Sequence, residues 1–175
     1  MENKLAAVFI DRDGTIGGDG HFIHPKNFKP YPFSKQALAK LDAHGVRRFA
    51  FTNQHRISRG QASVEDFQQE FSSYGFEEAL ICSHNKMEER SCRKPKPGML
   101  QEAARKFQFD LKKCAVIGDV GATDMLAADE VGAIKVLVLT GWGKKSLDAY
   151  RNTWQATEAD FVAENLLEAV EWLLD

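Results

Sequence analysis

A short apolar run, Ala6-Ala7-Val8-Phe9-Ile10, leads directly into Asp11-Arg12-Asp13-Gly14-Thr15. The run is uncharged and partly β-branched, which is typical of a buried parallel strand near the centre of its sheet. Ligands of open α/β sheets bind outside the carboxyl ends of the strands, where alternate side chains can point the same way. Two carboxylates this close repel each other unless a cation or a proton lies between them. The stretch therefore predicts a metal or shared-proton site, although a plain Asp-Gly turn gives the same pattern.

Strand-like and helix-like segments alternate along the rest of the chain. Apolar runs predict strands at residues 46–51, 79–82, 114–117 and 134–139, with a last short strand near Phe161. Helices are predicted after Ser34, after the capping box that begins at Ser63, from Pro97, through residues 125–131 and over residues 166–174. This alternation predicts a three-layer α/β fold of Rossmann-like arrangement with a mainly parallel central sheet. We expect a single domain, residues 1–175, in which the irregular residues 16–29 form a flap beside the site.

The bulk properties bear on partners and on location. The formal net charge of -2 gives no electrostatic reason to expect nucleic acid or an anionic membrane as a partner. The apolar runs are too short to cross a bilayer, and residues 1–4 run into the first strand without a recognisable signal peptide. Three cysteines are too few for a disulfide framework. These features favour a cytoplasmic protein. A monomer is the default state, because no large cap insertion is visible between Thr15 and Pro32 or between Gly60 and Ala79.

Polar side chains follow four of the predicted strands. They are, in chain order, Asp11 and Asp13, Thr52 and Asn53, Lys94, and Asp119 with Asp124. Because the carboxyl ends of parallel strands meet at one edge of a sheet, we expect these residues to lie together. Clustered carboxylates favour Mg²⁺, while a hydroxyl, backbone amides and a lysine suit a phosphate group. The set favours phosphoryl transfer to a carboxylate, with an aspartyl-phosphate intermediate.

Each residue also has an ordinary structural explanation. Thr52 is typical of a turn, and Asp119 after a glycine is typical of a helix cap. Lys94 stands in a polar loop, where a solvated charge is common and Lys96 is a nearby alternative. The joint pattern of all four stretches is much harder to explain in this way than any single residue.

Asp11 to Thr15, Thr52-Asn53-Gln54, Lys94 and Gly118-Asp119 with Asp124 resemble, in order, the four motifs of the haloacid-dehalogenase-like (HAD-like) phosphatases. The resemblance covers nearly the whole chain. It is strongest to the subgroup without a large cap domain, which includes heptose-bisphosphate phosphatases and histidinol-phosphatase domains. The resemblance to this subgroup is carried by three stretches: Ile57 with Arg59-Gly60, Cys92 to Met99, and Thr140-Gly141-Trp142-Gly143.

The resemblance implies a role for each catalytic residue. Asp11 would be the nucleophile and a metal ligand. Asp13 would protonate the leaving oxygen, activate water afterwards and offer its backbone carbonyl to the metal. Lys94 would stabilise the charge on Asp11 and on the phosphoryl group.

The resemblance also implies binding residues. Thr52 and the backbone of Asn53 would hold the phosphoryl oxygens, with Arg59 and Arg93 as further phosphate contacts. Asp119 would bind Mg²⁺, and Asp124 would support it.

A second metal site is suggested by Cys82, His84 and Cys92, which resemble a structural zinc loop of the heptose-bisphosphate group. That loop supplies three cysteines and one histidine, whereas Arg90 stands here where another cysteine is expected. A glutamate or water could complete a Zn²⁺ site, and the alternative is three unligated side chains at residues 82–92.

Two further departures from the resemblance leave the substrate open. Val120 replaces a lysine, and His55-Arg56 replaces the usual Ser-Gly. We expect a Mg²⁺-dependent phosphatase acting on a small phosphomonoester, with a sugar phosphate or bisphosphate favoured. The alternatives are a phosphatase for nucleic-acid ends and a non-catalytic phospholigand-binding protein.

Overall fold

The computed structural model of the protein describes residues 4–175. Within them six strands form one sheet: β1 (Ala7–Ile10), β2 (Arg47–Asn53), β3 (Glu78–Cys82), β4 (Cys114–Gly118), β5 (Ile134–Val138) and β6 (Phe161–Ala163). Their spatial order is β3-β2-β1-β4-β5-β6, and every neighbouring pair is parallel. The three-layer α/β fold predicted from the sequence is therefore confirmed, without a large cap domain in the described residues.

Helices cover both faces of the sheet. They are α1 (Ser34–Ala43), α2 (Val64–Ser73), α3 (Gly98–Phe107), α4 (Leu126–Glu130), α5 (Gly143–Leu147) and α6 (Leu166–Leu174). The apolar core on one face joins α1, α2 and α6 to the sheet, and the core on the other face joins α3 and α4 to it.

The position of β1 explains its uniformly apolar sequence. Val8 and Ile10 lie in the first core, whereas Ala7 and Phe9 lie in the second, so both faces of the strand are buried. Ile10 pairs with β2 on one side and with β4 on the other. The residues that follow these three strands consequently meet at one edge of the sheet.

The predicted helix starts were correct at α2 and wrong in detail at α1. At α2 the capping box is present, since Ser63 and Asp66 each accept a hydrogen bond from the other's backbone N–H at 3.1 Å. Ser34 does not cap α1 but is its first residue, and its Oγ donates to the carbonyl of Ile16 at 2.7 Å. Ser34 is fully buried, so its hydroxyl satisfies a loop carbonyl rather than the end of its own helix.

Residues 16–29 are largely irregular, with one short 3₁₀ helix at Pro25–Asn27. The segment Gly121–Met125 forms a π-helical turn that leads into α4. None of the helices in residues 4–175 has the length and apolar character needed to span a bilayer. Residues 1–3, on which the signal-peptide expectation partly rests, lie outside the described residues.

Candidate active site

Lys94 is the centre of the polar cluster at the carboxyl edge of the sheet. It lies on the loop between β3 and α3, and its Nζ donates to Oδ1 of Asp11 at 2.9 Å and to Oδ1 of Asp124 at 2.6 Å. A third bond reaches the carbonyl of Phe51 at 3.0 Å. Burial alone would lower the pKa of Lys94, but the charges of the two carboxylates outweigh it and raise that pKa above its usual value. Lys94 is therefore a charged, buried lysine and not a solvated loop residue.

Asp11, Asp119 and Asp124 form a carboxylate cluster in which one oxygen of each lies within 4.8 Å of the others. Burial, followed by the charges of Asp11 and Asp124, raises the pKa of Asp119 well above its ordinary value. Burial also raises the pKa of Asp124 to about 6, although Lys94 opposes that shift. Three buried carboxylates lie beside a single ammonium. The cluster therefore has an excess of negative charge when all three carboxylates are ionised.

The residues fit a divalent cation at this cluster. Oδ2 of Asp119 accepts a hydrogen bond from the backbone N–H of Trp142 at 2.8 Å, while its buried Oδ1 has no hydrogen-bond partner within residues 4–175. A Cβ atom at Gly14 or at Gly141 would overlap Oδ2 of Asp119, so only glycine fits there. A buried, unpaired carboxylate oxygen among two further carboxylates is the donor set that Mg²⁺ prefers.

Asp13 lies at the same edge, with both carboxylate oxygens held. Oδ1 accepts from Nη1 of Arg12 and Oδ2 from Nε2 of Gln54, each at 2.7 Å. Burial raises the pKa of Asp13 to about 6, and Arg12 opposes this shift. A carboxyl group that changes protonation near neutral pH suits a general acid that later acts as a base.

Thr52 and Asn53, at the end of β2, have different surroundings. The buried hydroxyl of Thr52 accepts from Nε2 of Gln54 at 3.0 Å, which leaves its own proton free to donate to a phosphoryl oxygen. The side chain of Asn53 forms two bonds to the backbone of Lys94, at 3.0 Å to its N–H and 3.2 Å to its carbonyl. Asn53 thus also fixes the loop that carries the lysine.

Within residues 4–175, Arg59 and Arg93 form no hydrogen bond or ion pair with the carboxylate cluster. Arg59 is exposed at the end of the 3₁₀ helix His55–Arg59, and Nη1 of Arg93 donates to the carbonyl of His84 at 3.2 Å. Burial and then the charges of Arg59, Arg93 and Arg56 lower the pKa of His55.

The structure brings Cys82, His84 and Cys92 together. Nδ1 of His84 lies 3.2 Å from Sγ of Cys92 and 3.8 Å from Sγ of Cys82. Glu88 does not complete this group in the described residues, because it caps the short turn Lys86–Glu88 through the N–H of Asn85.

Several contacts at the site were not anticipated from the sequence. The Gln54 amide contacts both Asp13 and Thr52. Gln54 belongs to the motif Thr52-Asn53-Gln54, in which the resemblance implies phosphate-binding roles only for Thr52 and Asn53. Ser146 Oγ donates to the carbonyl of Asp119 at 3.0 Å, with no local signal in the sequence. The indole of Trp142 packs edge-on against His21, with 5.0 Å between the ring centroids.

Comparison with known proteins shows the family to which the chain belongs. A family model described as HAD-hydrolase-like matches residues 91–169. The D-glycero-beta-D-manno-heptose-1,7-bisphosphate 7-phosphatase of Pseudomonas putida is 34% identical over 155 residues, covering 82% of this chain and 88% of its own. The protein of the same name from Haemophilus ducreyi is 32% identical over an alignment of 185 residues, covering 95% and 97%. The chain therefore belongs to the HAD-like hydrolases.

Solved structures share the fold at similar coverage. The D,D-heptose 1,7-bisphosphate phosphatase from B. bronchiseptica, complexed with magnesium and phosphate, superposes with a TM-score of 0.83 at 29% identity, covering 97% of this chain and 98% of that one. The corresponding structure from Burkholderia thailandensis gives a TM-score of 0.67 at 25% identity, covering 97% and 99%. Within its family the chain is a HAD-type phosphatase, that is, a phosphoric monoester hydrolase.

Proposed function

We propose that this chain is a Mg²⁺-dependent phosphatase that removes one phosphate from a sugar bisphosphate through an aspartyl-phosphate on Asp11. The observation that carries the proposal is the buried ammonium of Lys94 between Asp11 and Asp124, beside the unpaired oxygen of Asp119. The likeness to a phosphatase structure that contains magnesium and phosphate supports it. A protein that only binds phosphate has no use for a nucleophile and an acid together.

In the first step, the carboxylate of Asp11 attacks phosphorus while Lys94 and the hydroxyl of Thr52 hold the phosphoryl oxygens. Asp13 gives its proton to the leaving oxygen. In the second step, Asp13 takes a proton from the water that hydrolyses the aspartyl-phosphate.

Mg²⁺ would be held by Asp11, Asp119 and the backbone carbonyl of Asp13, with support from Asp124. When bound, it neutralises charge between the attacking carboxylate and the phosphate dianion.

A basic cavity beside Lys94 supports a substrate with a second phosphate. The cavity has a volume of about 540 Å³, and Lys86, Arg90, Arg93 and Lys96 line it together with Lys94 itself. A single acidic side chain, Glu89, lies among these cations. The curated relatives carry names that specify a 1,7-bisphosphate, so D-glycero-D-manno-heptose 1,7-bisphosphate is the first substrate to try.

We also propose that the triad Cys82, His84 and Cys92 binds Zn²⁺ in an open, three-ligand site. The support is the proximity of its three ligand atoms in the structure. A closed structural zinc site has four protein ligands, so water would take the fourth position here.

The test is phosphate release from a panel of sugar bisphosphates and the matching monophosphates, with Mg²⁺ and with EDTA. We expect release only with Mg²⁺ and a kcat/KM about two- to fivefold higher for bisphosphates, because an ion pair with an exposed cation contributes about 0.2–1 kcal/mol. Arg93→Met should reduce this preference, whereas Arg105→Met, on the exposed last turn of α3, should not. No release with any divalent metal would overturn the phosphatase proposal, and equal kcat/KM values would overturn only the bisphosphate part.

A further inference from the structure

Glu70 is a buried carboxylate on α2, and it binds a guanidinium 58 residues away. Nε of Arg12 donates to Oε2 of Glu70 at 2.6 Å, and Nη2 donates to Oε1 at 2.8 Å. The side chains of Arg12 and Glu70 are 0% and 4% exposed. Burying such a pair costs desolvation energy, and apolar side chains of similar size often stabilise a core equally well. Stability alone therefore does not account for the pair.

Two aromatic rings hold the guanidinium of Arg12 in addition to Glu70. Its Cζ lies 3.8 Å from the ring centroid of Phe28, at the end of the flap, and 4.9 Å from that of Phe67, on α2. Cation–π contacts of this kind restrict the rotation of the guanidinium plane. With the bidentate carboxylate, they leave Arg12 a single orientation.

The remaining nitrogen of Arg12 contacts the site. Nη1 donates to Oδ1 of Asp13 at 2.7 Å, and Gln54 holds the other oxygen of the same carboxyl group. Arg12 thus orients Asp13 together with Gln54, and Glu70 orients Arg12 together with the two rings. This chain of contacts joins α2, outside the four motifs, to the residue that exchanges protons with the leaving group.

We propose that Glu70, acting through Arg12, is a positioning residue that holds the carboxyl group of Asp13 against the leaving oxygen. The proposal rests on the proposed function, in which Asp13 is the general acid. Misplacing a catalytic group by about 1 Å can cost about 100-fold in rate, so a fixed orientation has a direct catalytic consequence. Glu70 itself contacts neither substrate nor metal in this proposal.

The experiment compares two substrates that differ in their need for an acid. The p-nitrophenolate of p-nitrophenyl phosphate leaves readily without a proton, whereas the alkoxide of glycerol 2-phosphate needs one. The measured quantity is kcat/KM for each substrate with Mg²⁺, because it covers the steps up to departure of the leaving group. The later role of Asp13 as a base does not affect kcat/KM, because hydrolysis of the aspartyl-phosphate follows departure of the leaving group. That role affects only kcat.

The test variant is Glu70→Gln, which keeps the shape but offers one acceptor oxygen instead of two. We expect the ratio of kcat/KM for glycerol 2-phosphate to that for p-nitrophenyl phosphate to fall about tenfold or more. The matched control is Asp42→Asn. Asp42 is the carboxylate partner of another buried arginine, Arg48, and this pair lies away from the site. The control should lower thermal stability without changing the ratio.

A second variant keeps the proposal testable if Glu70→Gln does not fold. Arg12→Lys retains the buried positive charge but replaces the planar fork of three nitrogens by a single one, so it cannot bind Glu70 through two nitrogens and Asp13 through a third, and the same fall in the ratio is expected. A ratio within threefold of the wild-type value in a folded variant would overturn the positioning role. Failure of the wild-type protein to hydrolyse either substrate would instead overturn the proposed function.

Discussion

Nζ of Lys94 donates to Oδ1 of Asp124 at 2.6 Å, although 30 residues separate the two in the chain. The bond ties the loop after β3 to the π-helical turn after β4, and it fixes the ammonium where it also contacts Asp11. Asp124 therefore has a role besides the proposed support of a cation, because it orients the lysine that neutralises the proposed nucleophile.

Replacing Lys94 by methionine tests this arrangement. Lys94→Met removes the single ammonium shared by Asp11 and Asp124 and should lower kcat for p-nitrophenyl phosphate by about 10²–10³-fold. Lys106→Met, which removes an exposed lysine paired with Glu78, is the control and should retain full activity. Activity within tenfold of wild type in Lys94→Met would contradict the role of Lys94.

The nucleophile assignment is tested by Asp11→Asn. An amide cannot form the aspartyl-phosphate, so phosphate release should fall to background. The variant should remain folded by circular dichroism, because neutralising Asp11 also removes its repulsion from Asp119 and Asp124. Retained turnover would show that another group attacks phosphorus.

The carboxylate cluster predicts that stabilisation by Mg²⁺ depends on pH. In the metal-free protein, burial raises the pKa of Asp124 from 3.8 to about 6 and that of Asp119 well above its ordinary value. The folded state then binds these protons more tightly than the unfolded chain. The contribution of Asp124 to stability is complete below its unfolded pKa and is lost as the pH rises through about 6, and that of Asp119 is lost as the pH rises through its own raised pKa.

Mg²⁺ competes with these protons and should offset the loss. The increase in Tm on adding Mg²⁺ should be small at about pH 5 and several degrees larger at about pH 7.5. Thermal melts with Mg²⁺ and with EDTA measure the difference. Asp119→Asn, which removes a ligand charge, should abolish most of it. An Mg²⁺ effect that is equal at both pH values would contradict the assignment of the cluster as the metal site.

The Cys82, His84 and Cys92 group predicts weakly held zinc. Protein purified without added zinc should contain Zn²⁺ that dialysis against EDTA removes, since the site has three protein ligands instead of four. Metal analysis before and after dialysis measures this, and Cys92→Ser should contain no zinc. If the dialysed protein is unfolded even after Mg²⁺ is restored, the zinc site is instead a closed structural site on which the fold depends.

The strands were predictable because burial on both faces leaves a local pattern in the sequence. The run before Asp11 is apolar at every position of β1, and the capping box at Ser63 uses residues three positions apart. Signals of this kind are independent of the rest of the fold. The start of α1 was predicted incorrectly because Ser34 meets Ile16, which approaches it only in the folded chain.

The sequence by itself determined the fold class and the residues that gather at the carboxyl edge of the sheet, because the alternation of strands with helices and the position of each motif after a strand follow from local patterns. Only the tertiary structure decided which atoms meet there. The bonds from Lys94 to Asp11, across 83 residues, and from Arg12 to Glu70, across 58, have no local signal. Both depend on burial, since a charge removed from water is stable only beside a partner that the fold supplies. The same opening pair, Asp11 and Asp13, thus takes its two different environments from distant parts of the chain.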